Sequence, residues 1–226
     1  MVVDDRTMDG TVAKAQARGA RVEVRPFADF ARQRNSALEM ARAEWVLFVD
    51  ADEVVTHELA TEVRETLGKA REEIAGYWIP RKNLLFGRWI RHAGWSPDRQ
   101  LRLLRRDRAR YREDRTVHEL VDLQGDAGHL RTPFVHYNYD TIGQFVAKQK
   151  VYASMEAADL YRRGIRPRPQ NYLLQPWRQF WRRYVLLEGF KDGALGLILS
   201  LLLAYFEWRT YVELRSLWRG KPRENP

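Results

Sequence analysis

Two carboxylates one residue apart close a short apolar run, Trp45-Val46-Leu47-Phe48-Val49-Asp50-Ala51-Asp52-Glu53. Aspartates at this spacing can hold a divalent cation against the diphosphate of an activated donor. Phosphoryl and carboxylate oxygens together make an all-oxygen shell, which suits Mg2+ or Mn2+. Breaking a bond to such a diphosphate builds charge on the departing oxygens, and a cation there stabilises it without a proton donor. The plainer reading of Asp50 and Asp52 is solvation and capping ahead of Thr56. An Asp-x-Asp triplet is common by chance, so its setting decides. Five apolar, strand-forming residues ended by acidic ones read as a buried strand stopping at the carboxyl edge of an α/β sheet, where ligands bind in open sheets. A second acidic group, Asp4-Asp5, follows Val2-Val3 and precedes Asp9-Gly10-Thr11. Asp4 can accept a hydrogen bond from a nucleobase N–H or a ribose hydroxyl; an ordinary β-to-α turn explains it equally well.

The elements that would position these groups alternate. Val2–Val3 ends a strand; Asp9 can cap a helix that Gly19 ends; Arg21–Arg25 alternates polar and apolar as a half-buried strand does. Asp29 can cap a helix with Phe30, Ala37, Leu38 and Ala41 inward. After the strand Trp45–Val49, Thr56 opens a helix whose Leu59, Val63, Leu67 and Ile74 recur at helical spacing. This is the β-α-β-α-β-α order of a sheet wrapped by helices. It begins one strand later than a complete doubly wound sheet, so the expectation is a natural start upstream of Met1 or a truncated product, the alternative being a smaller sheet that is complete as it stands. From residue 76 to 135 short β-rich pieces (Tyr77–Pro80, Leu101–Leu104, Val117–Leu123, Pro133–Val135) lie between Gly-, Arg- and Trp-rich loops, and no long helix is expected. Asp140 can cap the next helix, and Arg166-Pro167-Arg168-Pro169 reads as a linker.

The 226 residues and 45% hydrophobic content suffice for one full domain and an appendage. With no cysteine, disulfides, thiolate metal sites and cysteine nucleophiles are excluded. Asp4, Asp5 and Arg6 are unlike the start of a secretory signal. Of the net charge of +9, about +8 lies in residues 161–226, with the first 160 near neutral. A nucleic-acid reader spreads basic groups over its folded face; a basic tail mixed with Trp and Leu suits a membrane surface instead. The apolar run from Ala194 to Phe206, about 13 residues, is short of the roughly 20 that span a bilayer. Aromatic and Arg side chains flank it on both sides, so a helix lying in or dipping into one leaflet is expected, the alternative being a buried core or dimerisation helix.

Several ordered motifs carry a resemblance. Val2-Val3-Asp4-Asp5-Arg6-Thr7-Met8-Asp9-Gly10-Thr11, Gln33-Arg34-Asn35-Ser36-Ala37-Leu38 and Phe48-Val49-Asp50-Ala51-Asp52-Glu53 resemble the signatures of family-2 glycosyltransferases with the GT-A fold. Gly94-Trp95-Ser96-Pro97-Asp98, Arg102-Leu103, Val117-His118-Glu119 and His136-Tyr137 resemble a bacterial subgroup acting in lipopolysaccharide-core and related surface-glycan assembly. Two departures stand out: the first strand, which carries part of the nucleotide pocket in the family, is absent, and Arg6 stands where small residues are usual. The resemblance implies an α/β, Rossmann-like mixed sheet flanked by helices. Residues 1–160 would form the transferase domain, with a donor half (1–75) and an acceptor half (76–139), and residues 161–226 a helical membrane-associating extension. It also implies roles. Asp4 and Asp5 would serve the nucleotide, with Arg34 near it; Asp50 would face the ribose or sugar and share the cation with Asp52; His136 would be a further metal ligand.

An inverting transfer needs a base to take the acceptor hydroxyl proton. Glu119 is the first candidate, with His118 beside it, and Asp98 the second. Neighbours on a strand face opposite ways, so His118 and Glu119 do not both enter one site. Trp95 can stack on a sugar or fill the core. The expected activity is metal-dependent, inverting sugar transfer from a nucleotide-sugar donor to a lipid-linked or lipopolysaccharide-type glycan. It would occur on the cytoplasmic face of the inner membrane, with anionic lipid as the surface partner and no nucleic acid. Transfer to polyprenyl phosphate and a catalytically inactive membrane-bound scaffold are the alternatives.

Overall fold

The computed structural model describes the backbone of residues 2–4 and the chain over residues 7–113 and 120–220. In chain order the strands and helices are β1 (Val2–Asp4), α1 (Thr11–Gln16), β2 (Glu23–Arg25), α2 (Phe30–Met40), β3 (Trp45–Leu47), β4 (Glu53–Val54), α3 (His57–Leu67), β5 (Ile74–Leu85), β6 (Arg88–Trp89), β7 (Arg99–Arg105), β8 (Ala109–Tyr111), β9 (Val121–Leu123), β10 (Asp126–His129), β11 (Phe134–Tyr139), α4 (Ile142–Arg162), α5 (Asn171–Trp181) and α6 (Gly193–Arg219). A π-helical turn, Arg182–Leu186, continues α5, and a 3-10 turn, Gly189–Asp192, leads into α6. The α/β architecture with a mixed sheet and a helical C-terminal part agrees with the GT-A expectation.

The chain divides into two compact units. Residues 1–51, 55–80 and 99–133 form the first; residues 52–54, 81–98 and 134–226 form the second. These differ from the segments 1–160 and 161–226 drawn on the sequence. Strand β5 contributes to both, its first seven residues to one and its last five to the other.

In the first unit β3 pairs antiparallel with β7, β7 antiparallel with β5, and β10 parallel with β5. β1 and β2 make a separate parallel pair, and β8 and β9 an antiparallel one. The core joins α2 to the sheet through Ala31, Leu38, Leu104 and Tyr111, with Val46 and Phe48 against them. Local signals behave as residue type dictates. Asp29 accepts from Arg32 N at 2.8 Å and opens α2, and Thr56 accepts from Leu59 N at 3.2 Å and opens α3; Asp9 does not cap α1, whose N-cap is Gly10, and its carboxylate instead accepts from Thr11 N at 3.0 Å in the turn before the helix. Helix α3 stops at Leu67, however, and Ile74 begins β5. Its spacing from Leu67 fitted a helix face only by coincidence, because Gly68 and Lys69 close the helix by bonding back to its last carbonyls.

In the second unit β11 runs parallel to β5 and antiparallel to β4, and β6 folds back on β5. Helix α4 is opened by Thr141, not Asp140. The Thr141 hydroxyl accepts from Gln144 N while the Gln144 side chain reaches back to Asp140 N and Thr141 N. Helix α6 packs along α4 and α5. Leu199, Leu203 and Phe206 join Leu85, Tyr139 and Phe145 in the main core, while Leu214 and Tyr211 meet Ala157 of α4. The apolar run expected to lie in a leaflet therefore gives one face to the protein interior. The region Gly189–Arg219 that contains it is long and apolar enough to resemble a membrane span, and 39% of its most apolar window is buried; Ile198, Leu201 and Tyr205 lie on its exposed side.

Candidate active site

The first unit carries Asp50 where the chain leaves β3. Phe48 N still bonds Arg102 O at 2.9 Å, so the sheet pairing extends one residue beyond Leu47. Asp50 Oδ1 accepts from Arg34 Nη2 at 2.9 Å and Oδ2 from Arg102 Nη2 at 2.5 Å. Both guanidinium side chains are buried and the carboxylate is one-third exposed. Arg34 comes from α2, its guanidinium lying 5.7 and 5.5 Å from the ring centroids of Phe48 and Tyr111, which pack edge-on against each other at 5.4 Å. Its neighbour Asn35 anchors that end of the unit by a reciprocal pair with Tyr111: Nδ2 donates to Tyr111 O at 2.9 Å, and Tyr111 N donates to Oδ1 at 2.8 Å. Arg34 and Asp50 sit in the wall of a cleft of about 490 Å3, which also meets Phe30, Ala37, Val46 and Phe48. Among the described residues, β3 pairs only with β7.

The second unit carries Asp52. The register places Glu53 of β4 opposite His136 of β11, and His136 beside Asn83 of β5. Tyr137 N bonds Asp52 O at 2.9 Å, which fixes the aspartate at the head of this row. Asn83 is buried, and its amide Nδ2 donates to Trp95 O at 2.9 Å and Asp98 Oδ2 at 3.0 Å. With the NH2 group committed to two acceptors, Oδ1 must be the atom 2.6 Å from His136 Nδ1, so Nδ1 carries a proton and donates. The remaining ring nitrogen, Nε2, lies 3.2 Å from Asp52 Oδ2. A proton on Nε2 as well as on Nδ1 makes this contact a hydrogen bond that holds the Asp52 carboxyl below the usual carboxylate range, against the opposing effect of burial; with Nε2 bare, the two atoms face each other as acceptors. Arg81 bridges two further carboxylates. Its Nη1 donates to buried Glu53 Oε1 at 3.3 Å, and its Nε lies 3.0 Å from Asp98 Oδ2, close enough for an ion pair but off the hydrogen-bonding line.

This donor set fits a cation at one place. An imidazole whose Nδ1–H is already given to an amide presents an Nε2 lone pair to the neighbouring carboxylate, the outer-shell arrangement that orients histidine ligands in metal sites. Two protein ligands leave the rest of an octahedral shell to phosphate oxygens and water, as Mg2+ and Mn2+ sites at diphosphates do. Among the described residues no group of three or more His, Asp or Glu side chains forms a closed metal cage. Asp50 differs from Asp52, because both its oxygens are engaged by guanidinium groups.

Of the residues singled out on the sequence, Arg34 and Asp50 meet in the first unit, and Asp52, His136 and Asp98 meet around Asn83 in the second. His136 sits within β11 and not at its end, because that strand runs on to Tyr139. Trp95 packs into the core edge-on to Tyr139, with ring centroids 6.3 Å apart. Asp4 ends β1, but its side chain, and all of Asp5, His118 and Glu119, lie outside the described residues. Three participants carried no role in the sequence reading: Arg81, Asn83 and Arg102. Arg81 and Asn83 are two apart on one strand and so share a face, and Arg102 is a lone cation among Leu101, Leu103 and Leu104; a buried polar residue in a strand is the signal that could have found them.

The family model described as Glycosyl transferase family 2 matches residues 1–126, more than half the chain. The chain belongs to this family. Among its curated relatives, a lipopolysaccharide core biosynthesis glycosyltransferase, LpsC, from Rhizobium meliloti (strain 1021) is 28% identical over the whole of this chain and 85% of its own length. An uncharacterized glycosyltransferase from Rickettsia bellii (strain RML369-C) is 24% identical over 96% of the chain and 77% of its own. A TPR repeat-containing protein from Synechococcus elongatus is 32% identical over 69% of the chain but only 40% of its own length. The first two alignments run past residue 126, so the likeness takes in the His136 strand and the C-terminal helices of this glycosyltransferase.

Proposed function

We propose that this family-2 glycosyltransferase is an inverting enzyme that moves a sugar from a nucleotide-sugar donor to a lipid-linked or lipopolysaccharide-type glycan at the cytoplasmic face of the inner membrane. The observation that carries the reading is the Asn83–His136–Asp52 row, which presents one imidazole lone pair and one carboxylate oxygen to the same point. Asp52 and His136 would hold Mg2+ or Mn2+, whose part is to neutralise the departing nucleoside diphosphate. Asn83 keeps the His136 proton on Nδ1. Arg34 and Asp50, with Asp4 and Asp5, are assigned to the nucleotide and ribose; Arg102 holds Asp50 in place. Asp98, oriented through Oδ2 by Asn83 and Arg81, is positioned as the base that takes the acceptor hydroxyl proton, and Glu119 is the other candidate. The likeness to LpsC, a lipopolysaccharide core biosynthesis glycosyltransferase, supports the choice of a lipopolysaccharide-type acceptor. The basic, aromatic C-terminal part supports a membrane surface as partner.

The test has two steps. A panel of nucleotide sugars with Mn2+ or Mg2+ is screened for thermal stabilisation of the protein. The donor found is then supplied in labelled form with lipopolysaccharide-core acceptor or with polyprenyl phosphate. Label entering the core glycan with inverted anomeric configuration, lost in Asp98→Asn or Glu119→Gln, is expected. Transfer only to polyprenyl phosphate, or no stabilisation by any donor, contradicts the reading.

A further inference from the structure

Helix α6 contains the longest apolar run, but its core face is already spent on α4 and α5. The outward surface of α5 is different. Leu173, Trp177, Trp181 and, beyond the π-helical turn, Leu186 are 77, 59, 44 and 66% exposed. On a helix of 3.6 residues per turn, Leu173, Leu174, Trp177 and Trp181 fall within about 100° of one another. Arg178 and Arg182 line one border of this stripe, and both are exposed. Another side of α5 faces the protein: Tyr172 OH reaches Tyr211 O of α6 at 3.4 Å. Trp177, Trp181, Arg178, Arg182 and Leu186 also line a groove of about 410 Å3 whose acidic member, Glu207, belongs to α6. Burial pushes that carboxyl up, and Arg178 and Arg183 oppose the shift.

The geometry points to the α5 stripe as the surface that enters the headgroup layer of an anionic membrane, with α6 remaining a core helix of a monotopic protein. This rests on the membrane part of the proposed function and names the element responsible. Two tryptophans and two leucines on one helix face supply shallow apolar insertion, and arginines on its border meet lipid phosphates. A second copy of the chain fits less well: a two-fold contact through this face would bring its arginine border near its own symmetry mate. Spanning by α6 would pull Leu199, Leu203, Phe206 and Leu214 out of the core they fill.

The test is flotation of the full-length protein with phosphatidylcholine vesicles, with and without about one-third phosphatidylglycerol, at low and high salt. Trp177→Gln/Trp181→Gln is expected to lower partitioning about tenfold or more on both vesicle types. Arg178→Gln/Arg182→Gln is expected to abolish the preference for anionic vesicles, as high salt does. Leu201→Gln/Tyr205→Gln, on the exposed side of α6, is expected to float like wild type. The inference is overturned if the tryptophan pair floats like wild type, if the α6 pair loses as much, or if the tryptophan pair merely converts a dimer to a monomer. Donor-induced stabilisation of the same preparations separates the two readings. A wild-type protein that binds donor but never floats ends the membrane assignment and leaves sugar transfer standing.

Discussion

Replacing Asp50 with alanine should unfold the protein more readily than replacing Asp52, although both belong to one Asp-x-Asp triplet. Asp50 takes two charge-assisted hydrogen bonds, at 2.9 and 2.5 Å, from arginines whose side chains are 9 and 6% exposed. Removing one member of a buried ion pair costs about 3–5 kcal/mol, chiefly because the partner charge keeps its desolvation penalty. Asp50 itself is one-third exposed, so water screens part of this, and about 2–4 kcal/mol is expected. At roughly 2–4 °C per kcal/mol for a chain of this size, Tm falls by about 4–16 °C. Asp52 is 46% exposed and its carboxylate meets the His136 ring; its alanine variant should lose less than about 1 kcal/mol. Thermal unfolding of the two variants beside wild type at neutral pH decides the matter. Equal Tm values, or a larger loss for Asp52→Ala, would refute the assignment of Asp50 as the carboxylate that holds Arg34 and Arg102.

Asn83→Ala removes the amide that serves His136, Asp98 and the Trp95 carbonyl, so stability should fall by about 2–4 kcal/mol in denaturant titrations and divalent-cation affinity by about 10–100-fold. Glu62 accepts from Arg131 N and Thr132 N at 2.8 and 2.7 Å; burial pushes its carboxyl up, but these bonds prevail and hold it below its ordinary value. Its folded-state pKa being depressed, the stabilisation is complete above the unfolded pKa and is lost as pH falls through the folded one. Unfolding of Glu62→Gln against wild type should therefore show a gap that is constant at neutral pH and closes below about pH 4. A Cβ on Gly196 would overlap the Gly189 carbonyl oxygen, so Gly196→Ala should cost about 2 kcal/mol or more by calorimetry. A variant as stable as wild type would show that α6 is not seated in the core at that point.

Features set by neighbours in the chain were readable in the sequence. Asp29 and Thr56 cap helices because a side-chain oxygen three residues before an amide has few other uses; the run from Trp45 reads as a buried strand, but β3 is only half-buried and Val49 is 45% exposed, because among the described residues it has a strand partner on one side alone. Partners distant in the chain were not readable. Nothing local ties Asn83 to His136, 53 positions away, and polar Arg81, Lys82 and Asn83 disguise β5 as a loop until the second unit gives them partners. His118 and Glu119, chosen for chemistry, lie outside the described residues. The run from Ala194 to Phe206 has one composition and two possible environments; which face is covered depends on α4 and α5, and that information resides in packing.

The central claim is that one carboxylate and one imidazole, Asp52 and His136, receive a divalent cation while Asp50 serves the arginines. Pulsed electron paramagnetic resonance of Mn2+ added to the protein reads it directly, because an imidazole nitrogen bonded to Mn2+ modulates the spin echo. The account predicts nitrogen modulation in wild type and in Asp50→Asn, its loss in His136→Gln, and Mn2+ affinity at least about tenfold weaker in Asp52→Asn. Undiminished modulation in His136→Gln, or loss of the bound ion in Asp50→Asn with Asp52→Asn unaffected, would contradict it.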